Sequence, residues 1–431
     1  MIPQSDRPLM INCDYRSGTG YATLTREIIR ILHKNNVDFR LLPEPELFTR
    51  CTSPIEDDYF DSFIIRPHER GWLSDNDYNY FRLYPPRENS PKRFSIGFTM
   101  VEGYSVNPQH MKIIDDSFDL ILVPSYFVKN VFSQYLDPLK VEVIPLGVDI
   151  NVFNKENVVH ETSDIYKSEI KKIKFLGNNN IEYAPCDSGY EIPNKFRFTM
   201  NGSFNHRKGV DLALRAYAKT FTQKDDVALI LFCTPENPFE AHRMKDRILE
   251  IMSGFNTDTL PHCYVYDQAY PTYLQSLPYA HSDCFLFPSR GEGFGLPVLE
   301  AGACEVPVIS PNHTGLSDFV NNSNVFVLDI DKIDNIGEIG KQYDVNTYVG
   351  NYPEWTRDMF HHQTKNCYFP IMNSDKVLNQ MGEYMKYVYN HMNSYIIKEK
   401  VTNMKKMIDE KYTWNNSASY LMGIFIELRK R

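Results

Sequence analysis

Short apolar runs alternate along this chain with segments whose apolar residues recur at helical spacing. Residues 9–15 read as a strand, followed by a turn at Arg16–Gly20. The next segment predicts a helix, with Leu24, Ile28, Ile29 and Leu32 on one face. Further strands are predicted over 62–67, 93–100, 119–125 and 141–148, with helical or irregular stretches between them. Strands separated by helices predict a parallel sheet with helical crossovers, an α/β plan. The second half repeats it. A strand at 195–204 leads into a helix over 210–221, where Val210, Ala213, Leu214, Tyr217 and Phe221 share a face. Strands follow at 227–235, 262–267, 284–289, 307–310 and 325–329. Two of the apolar runs end alike, in Pro124-Ser125 and Pro288-Ser289, where a serine is expected to cap the following helix.

This repetition predicts two Rossmann-like domains facing each other across a cleft, because doubly wound sheets bind ligands at their strand ends. The first spans 1–153 and the second 195–414. The polar, turn-rich stretch 154–194 reads as an insertion or linker. A last helix near 415–431 is available to pack back on the first domain. A second irregular stretch, 335–375, is dense in aromatics, and its residues 343–369 read as core or lid packing.

Composition narrows the partners. With 431 residues, the chain exceeds what one compact core accommodates. Hydrophobic residues at 42% and charged residues at 23% are those of a folded protein. The net charge of −9 argues against nucleic acid as the partner. The eight cysteines form no C-x-x-C pair and suit a reducing compartment. No apolar run approaches the roughly 18 residues that span a bilayer, and the first residues lack a signal-peptide core. A cytoplasmic protein is expected, with peripheral membrane contact left open. The sequons at Asn201, Asn312, Asn321 and Asn415 are read as chance.

Candidate chemistry concentrates in Pro288–Ser310. Gly291, Gly293 and Gly295 permit tight turns, and Pro297 suits the first position of a helix. The N–H groups of Gly295 and Leu296 would then face a phosphate at that helix start. Phe294 lies beside them, and Glu292 and Glu300 are positioned to point into one pocket. A second basic segment, Asn201–Tyr217, contains Arg207, Lys208 and Gly209.

Glu292 and Glu300, with Pro288-Ser289 before them and Ala301–Ile309 after, resemble the E-x7-E signature of the retaining glycosyltransferase family 4, the glycosyl transferases group 1. Asn201–Tyr217 is similar to the family's G-R-x5-K-G segment, although Ser203 stands where arginine is usual. Val143–Phe153 resembles its hinge sequence, Arg16–Gly20 its glycine-rich loop and Thr314–Val320 its G-G-x-x-E-x-V, with Asp318 in the acidic position. The resemblance implies a GT-B fold with C-terminal helices. It implies a retaining hexosyltransferase that needs no metal or other cofactor. The donor is a nucleoside-diphosphate sugar, a UDP- or GDP-sugar first, and the acceptor a glycan, lipid or small hydroxyl compound. Lys208 and Arg207 are expected to stabilise the leaving diphosphate, and Glu292 to lie near the transferred sugar. Glu300 is expected on the ribose, with Gly18, Gly20, Ser203 and Glu102 also lining the substrates. His110 is a candidate on the acceptor side.

Other features carry less. Asp75-Asn76-Asp77 reads as a turn, His361-His362 lacks further metal ligands at useful spacing, and Tyr266–Tyr270 is a candidate for base recognition. The alternatives are a non-catalytic nucleotide-sugar-binding subunit, prompted by Ser203, and a sugar-nucleotide epimerase or phosphorylase of the same fold.

Overall fold

The computed structural model describes residues 7–44, 50–73, 78–83, 93–156, 170–177, 180–185, 195–234, 238–255, 259–261, 263–266, 272–335 and 368–430. Asp75–Asp77, Asp267–Tyr270, His361-His362 and the aromatic stretch up to 367 therefore lie outside the described residues. The chain divides into two compact units: 1–147 with 269–274 and 411–431, and 148–268 with 275–410.

The first unit carries a six-stranded parallel sheet of β1 (Leu9–Cys13), β2 (Phe39–Pro43), β3 (Asn79–Leu83), β4 (Phe94–Phe98), β5 (Leu120–Val123) and β6 (Val141–Val143), in the order β2-β1-β3-β4-β5-β6. The chain direction of winding reverses between β1 and β3. Helix α1 (Gly20–Lys34) buries Leu24, Ile28, Ile29 and Leu32, the face its periodicity predicts. Helix α2 (Pro54–Asp61) starts in a capping box formed by Ser53 and Glu56. Helices α3 (Pro108–Ser117) and α4 (Tyr126–Phe132) follow, and the Ser125 hydroxyl accepts from Val128 N at 3.2 Å, the expected cap.

The sequence misplaces one strand here. Residues 62–67 form only an isolated bridge, Ile64 with Leu41, before a 3-10 turn over Pro67–Leu73. Proline has no N–H for a ladder, and Pro67 ends the extended run. The third strand comes instead from Asn79–Leu83, whose polar Asn79 and Arg82 are nonetheless buried.

The second unit holds an eight-stranded sheet. Its parallel part is β9 (Phe196–Ser203), β10 (Val227–Thr234), β11 (Cys263–Tyr266), β12 (Cys284–Leu286), β13 (Val308–Pro311) and β14 (Phe326–Leu328), in the order β14-β13-β12-β9-β10-β11. The stretch read as an insertion supplies β7 (Ile170–Gly177) and β8 (Asn180–Pro185), an antiparallel hairpin added beyond β11. Strands β15 (Lys332–Asn335) and β16 (Tyr368–Ile371) form a separate antiparallel pair.

Helices α5 (Val210–Thr220), α6 (Pro238–Ile251), α7 (Leu277–Ala280) and α8 (Leu296–Ala303) accompany this sheet, and α9 (Asp375–Asn390) and α10 (Tyr395–Lys411) complete the unit. Its core joins Phe198, Leu229, Leu231 and Leu286 of the sheet to Leu214 and Tyr217 of α5 and Met381 and Met385 of α9. Close approach explains two glycines. A Cβ on Gly382 would lie 2.2 Å from Thr220 Oγ1, and one on Gly302 would lie 2.3 Å from Met404 Cγ.

Helix α11 (Trp414–Lys430) belongs to the first unit. The Ser417 hydroxyl donates to Pro145 O at 2.6 Å, and a Cβ on Gly147 would sit 2.3 Å from the backbone carbon of Thr413. Gly147→Ala is therefore expected to lose about 1–3 kcal/mol, because backbone must move to relieve the overlap. Thermal denaturation and limited proteolysis at α11 check this, with cleavage near residue 413 accelerated in the variant.

Candidate functional site

In the second unit the order of strands switches between β9 and β12, and the loops leaving these neighbours carry the candidate residues. Ligands of doubly wound sheets bind at such points, outside the carboxyl ends of the strands. The β9–α5 loop turns through Gly209, with φ of +79°, where a Cβ would meet Pro288 O at 2.1 Å. Only glycine allows both the left-handed backbone and that contact. The two loops are also tied by Arg290 N, which donates to Arg207 O at 2.6 Å.

Beneath them lies a buried ion pair. Arg290 is fully buried and donates to both Asp211 oxygens, at 2.7 and 2.8 Å, and to His206 O and Asn373 Oδ1 at 2.6 and 2.5 Å. Burial would raise the Asp211 carboxyl, but Arg290 holds it well below its ordinary range. Burial and the same guanidinium push the His206 imidazole down to about 3, so it is neutral near pH 7.

Lys208 and Glu292 meet on top of this base. Lys208 Nζ donates to Glu292 Oε1 at 2.7 Å and lies 5.4 Å from the centre of the Phe287 ring. Its stem runs past Gly202, where a Cβ would touch Cδ at 3.4 Å. The Ser289 hydroxyl also donates to Glu292 Oε1, at 2.6 Å. Ser289 thus caps no helix, because α8 begins only at Leu296 and the hydroxyl is committed to the carboxylate. The Arg207 guanidinium is 95% buried, donates to Gly291 O at 2.6 Å and lies 3.4 Å from Glu292. Desolvation would raise the Glu292 carboxyl. The Lys208 and Arg207 charges and the two hydrogen bonds outweigh it, and Glu292 stays ionised.

The backbone of Glu292 is held from the β13 side. Its N–H donates to Thr314 Oγ1 at 3.0 Å and its carbonyl accepts from Gly315 N at 2.8 Å. Thr314 has φ of +51°, an unfavourable conformation for a β-branched residue. Next to it, His313 Nε2 is buried without a partner, and burial pushes the imidazole down to about 3.

Glu300 occupies the first turns of α8 and is partly exposed. Its Oε2 accepts from the Tyr279 hydroxyl, which accepts in turn from Asn201 Nδ2 at 3.1 Å. Burial pushes the Glu300 carboxyl up to about 7, against the lowering effects of Tyr279 and Lys208. Gly295 precedes the helix with φ of +107°, and its missing side chain admits Leu316, 2.4 Å from an added Cβ. Phe294 is buried, with its ring 5.4 Å from that of Phe319, so its side chain anchors the loop and only its backbone is left to face a ligand. Ser203 ends β9, partly exposed, and its carbonyl accepts from Asn205 N at 2.9 Å.

The remaining expected residues are in the first unit. Asp14 gathers the N–H groups of Arg16 and Ser17, and buried Arg26 donates to Tyr15 O and Ser17 O, so the loop before α1 is built by side chains as well as glycine. A Cβ on Gly18 would meet Cys51 Sγ at 2.9 Å, whereas one on Gly20 would meet nothing within 4 Å. Glu102 follows β4, partly exposed. His110 lies in α3 with Nε2 unpartnered, and burial pushes it down to about 4.

Sequence reasoning assigned no site role to Tyr279, Asn201, Thr314, Arg290 or Asp211, and read Ser289 as a helix cap. Among the described residues there is no group of three or more His, Cys, Asp or Glu side chains able to hold a metal ion, and no helix long and apolar enough to cross a membrane.

Residues 189–339 match the family model described as glycosyl transferases group 1. A stretch of 73 residues is 44% identical to O-antigen chain mannosyltransferase B of Escherichia coli, covering 17% of this chain and 18% of that protein. The fold is similar to that of a glycosyltransferase from Rickettsia africae, at 14% identity over 98% of this chain and 99% of the other, with a TM-score of 0.62. It is also similar to Anabaena HepE in complex with UDP and glucose, at 11% identity over 97% and 99% of the chains, with a TM-score of 0.57. These likenesses show the GT-B fold.

Two outcomes follow from the charges of Asp211 and Glu300. Arg290→Met is expected to destabilise the second unit by about 3–5 kcal/mol, because Asp211 is left charged and desolvated; chemical denaturation measures it. The Glu300 carboxyl binds its proton more tightly folded than unfolded, so it penalises the folded state above about pH 7, a penalty that fades as pH falls toward the ordinary value of 4.5. Glu300→Gln is therefore expected to raise the melting temperature at pH 8 and to leave it unchanged near pH 4.

Proposed function

We propose that this chain is a retaining, metal-independent glycosyltransferase acting on a nucleoside-diphosphate sugar, a reading supported by the match of residues 189–339 to the family model of the glycosyl transferases group 1. The observation that carries this reading is the contact of Lys208 with Glu292 at the strand-order switch, 2.7 Å across two loops. It joins the cation suited to a leaving diphosphate to the carboxylate suited to the transferred sugar.

In this reading Lys208 turns toward the diphosphate as negative charge builds on it, and the N–H groups of Gly295 and Leu296 face the same charge. Such preoriented donors are worth about 3–4 kcal/mol each in the transition state. Glu292 remains ionised after losing Lys208, because Ser289 and Arg207 still hold it. A fixed carboxylate there orients sugar hydroxyls and stabilises positive character at the anomeric carbon. Glu300 accepts from the ribose hydroxyls. Gly18, Gly20 and Glu102 are assigned to the substrates from the first unit, and the acceptor is a glycan or another hydroxyl compound. A hexose is the expected cargo, with mannose the first to test because the Escherichia coli relative is a mannosyltransferase. UDP and GDP are the first nucleotides to test, UDP because HepE is seen with it.

The test is a hydrolysis and transfer screen over UDP-, GDP-, ADP- and dTDP-sugars, with the product anomer read by NMR. Glu292→Gln is expected to lower turnover about a hundred- to thousandfold while nucleotide binding survives, and Lys208→Ala to weaken both. Normal turnover in both variants would remove the assignment. Tight donor binding with no turnover in the unmodified chain would identify a nucleotide-sugar-binding subunit instead.

A further inference from the structure

Tyr279 stands outside the motifs that suggested the site, yet its hydroxyl makes the one contact by which a described side chain holds Glu300. The ring is 99% buried, with centroids 5.8 Å from Phe153 and 5.1 Å from Phe285, so the hydroxyl has a fixed address. Asn201 Nδ2, at the end of β9, donates to that oxygen at 3.1 Å. With its lone pair engaged by Asn201, the phenol is directed to donate, and its proton goes to Oε2 of Glu300. No described residue donates to Oε1, and the residue is partly exposed.

We propose that Tyr279 is a positioning residue for ribose recognition, which immobilises Oε2 of Glu300 so that Oε1 is presented as the acceptor for the sugar diol of the nucleotide. The inference rests on the donor reading above and names the residue that tunes one part of it. A carboxylate on a helix has a broad, roughly two-fold terminal torsion, so without an anchor its oxygens sample orientations that do not meet a diol. Holding one oxygen from the opposite side removes that freedom before the ligand arrives, and prepaid ordering appears as affinity. Asn201 completes the device by keeping the phenolic proton from rotating elsewhere.

Tyr279→Phe removes one oxygen and keeps the ring that packs on Phe153 and Phe285, so the unit is expected to fold. The full chain is titrated calorimetrically with UDP, GDP, ADP and dTDP, and then with the 2′,3′-dideoxy counterpart of whichever ribonucleotide binds best. The unmodified chain is expected to favour the diphosphate with the sugar hydroxyls about tenfold or more. In Tyr279→Phe that preference should shrink at least about threefold, while affinity for the dideoxy form stays within about twofold. A purely structural role would weaken both forms together. Equal loss for both forms, or an unchanged preference, overturns the proposal. An unmodified chain that binds both forms equally well also overturns it and leaves the donor reading standing. An unmodified chain that binds none of the four removes the donor reading, and this inference with it.

Discussion

The bidentate contact of Arg290 with Asp211 is the constraint on which the second unit's site rests. It lies wholly inside the protein and joins the residue after Ser289 to the first turn of α5. Desolvating two such charges is expensive, and what makes the arrangement tolerable is that both terminal nitrogens of the guanidinium are doubly engaged, reaching His206 O and Asn373 as well as the carboxylate. The geometry above follows from that fixed base. Arg207 and Lys208 sit between His206 and Gly209, and Gly291 and Glu292 directly follow Arg290. Two loops from neighbouring strands are thereby set at a spacing at which an ammonium and a carboxylate meet.

Glu292 is fixed from three sides by different means. Ser289 comes from its own loop, Lys208 and Arg207 from the β9 loop, and Thr314 with Gly315 from the loop after β13. The last of these needs a threonine in a left-handed conformation, a strain of about 1–3 kcal/mol that surrounding contacts must override. Strain of this kind persists where it holds something else in place, and here that is the amide of Glu292.

Much of this was legible in the residues. The glycines around Glu292 and the helical face of α1 follow from local rules of turn chemistry and periodicity, whereas Glu292, Glu300 and Lys208 were singled out by the family resemblance. What was not legible depends on partners distant in sequence. Ser289 looked like a cap because it ends an apolar strand, but its hydroxyl is taken by a carboxylate three residues on, in a loop too long to start a helix there. Tyr279 reads as an ordinary core aromatic, since its tie to Glu300 depends on how α7 and α8 pack. Residues 79–83 escaped notice as a strand because Asn79 and Arg82 break the apolar run; their burial is decided by contacts such as that of Arg82 with Glu44. Conversely, Phe63, Ile64 and Ile65 look like a strand but make a single bridge, since Pro67 follows at once.

The hairpin of β7 and β8 bears on how copies of this chain behave toward each other. Without it, β11 would end the sheet with a full row of unpaired backbone donors and acceptors in parallel register, an invitation to strand-by-strand self-association. Among the described residues the hairpin moves that border outward to Asn180–Pro185, a short strand whose last residue is a proline. A proline has no N–H to donate to an incoming strand, so this border is a poorer template for strand addition than β11 would be.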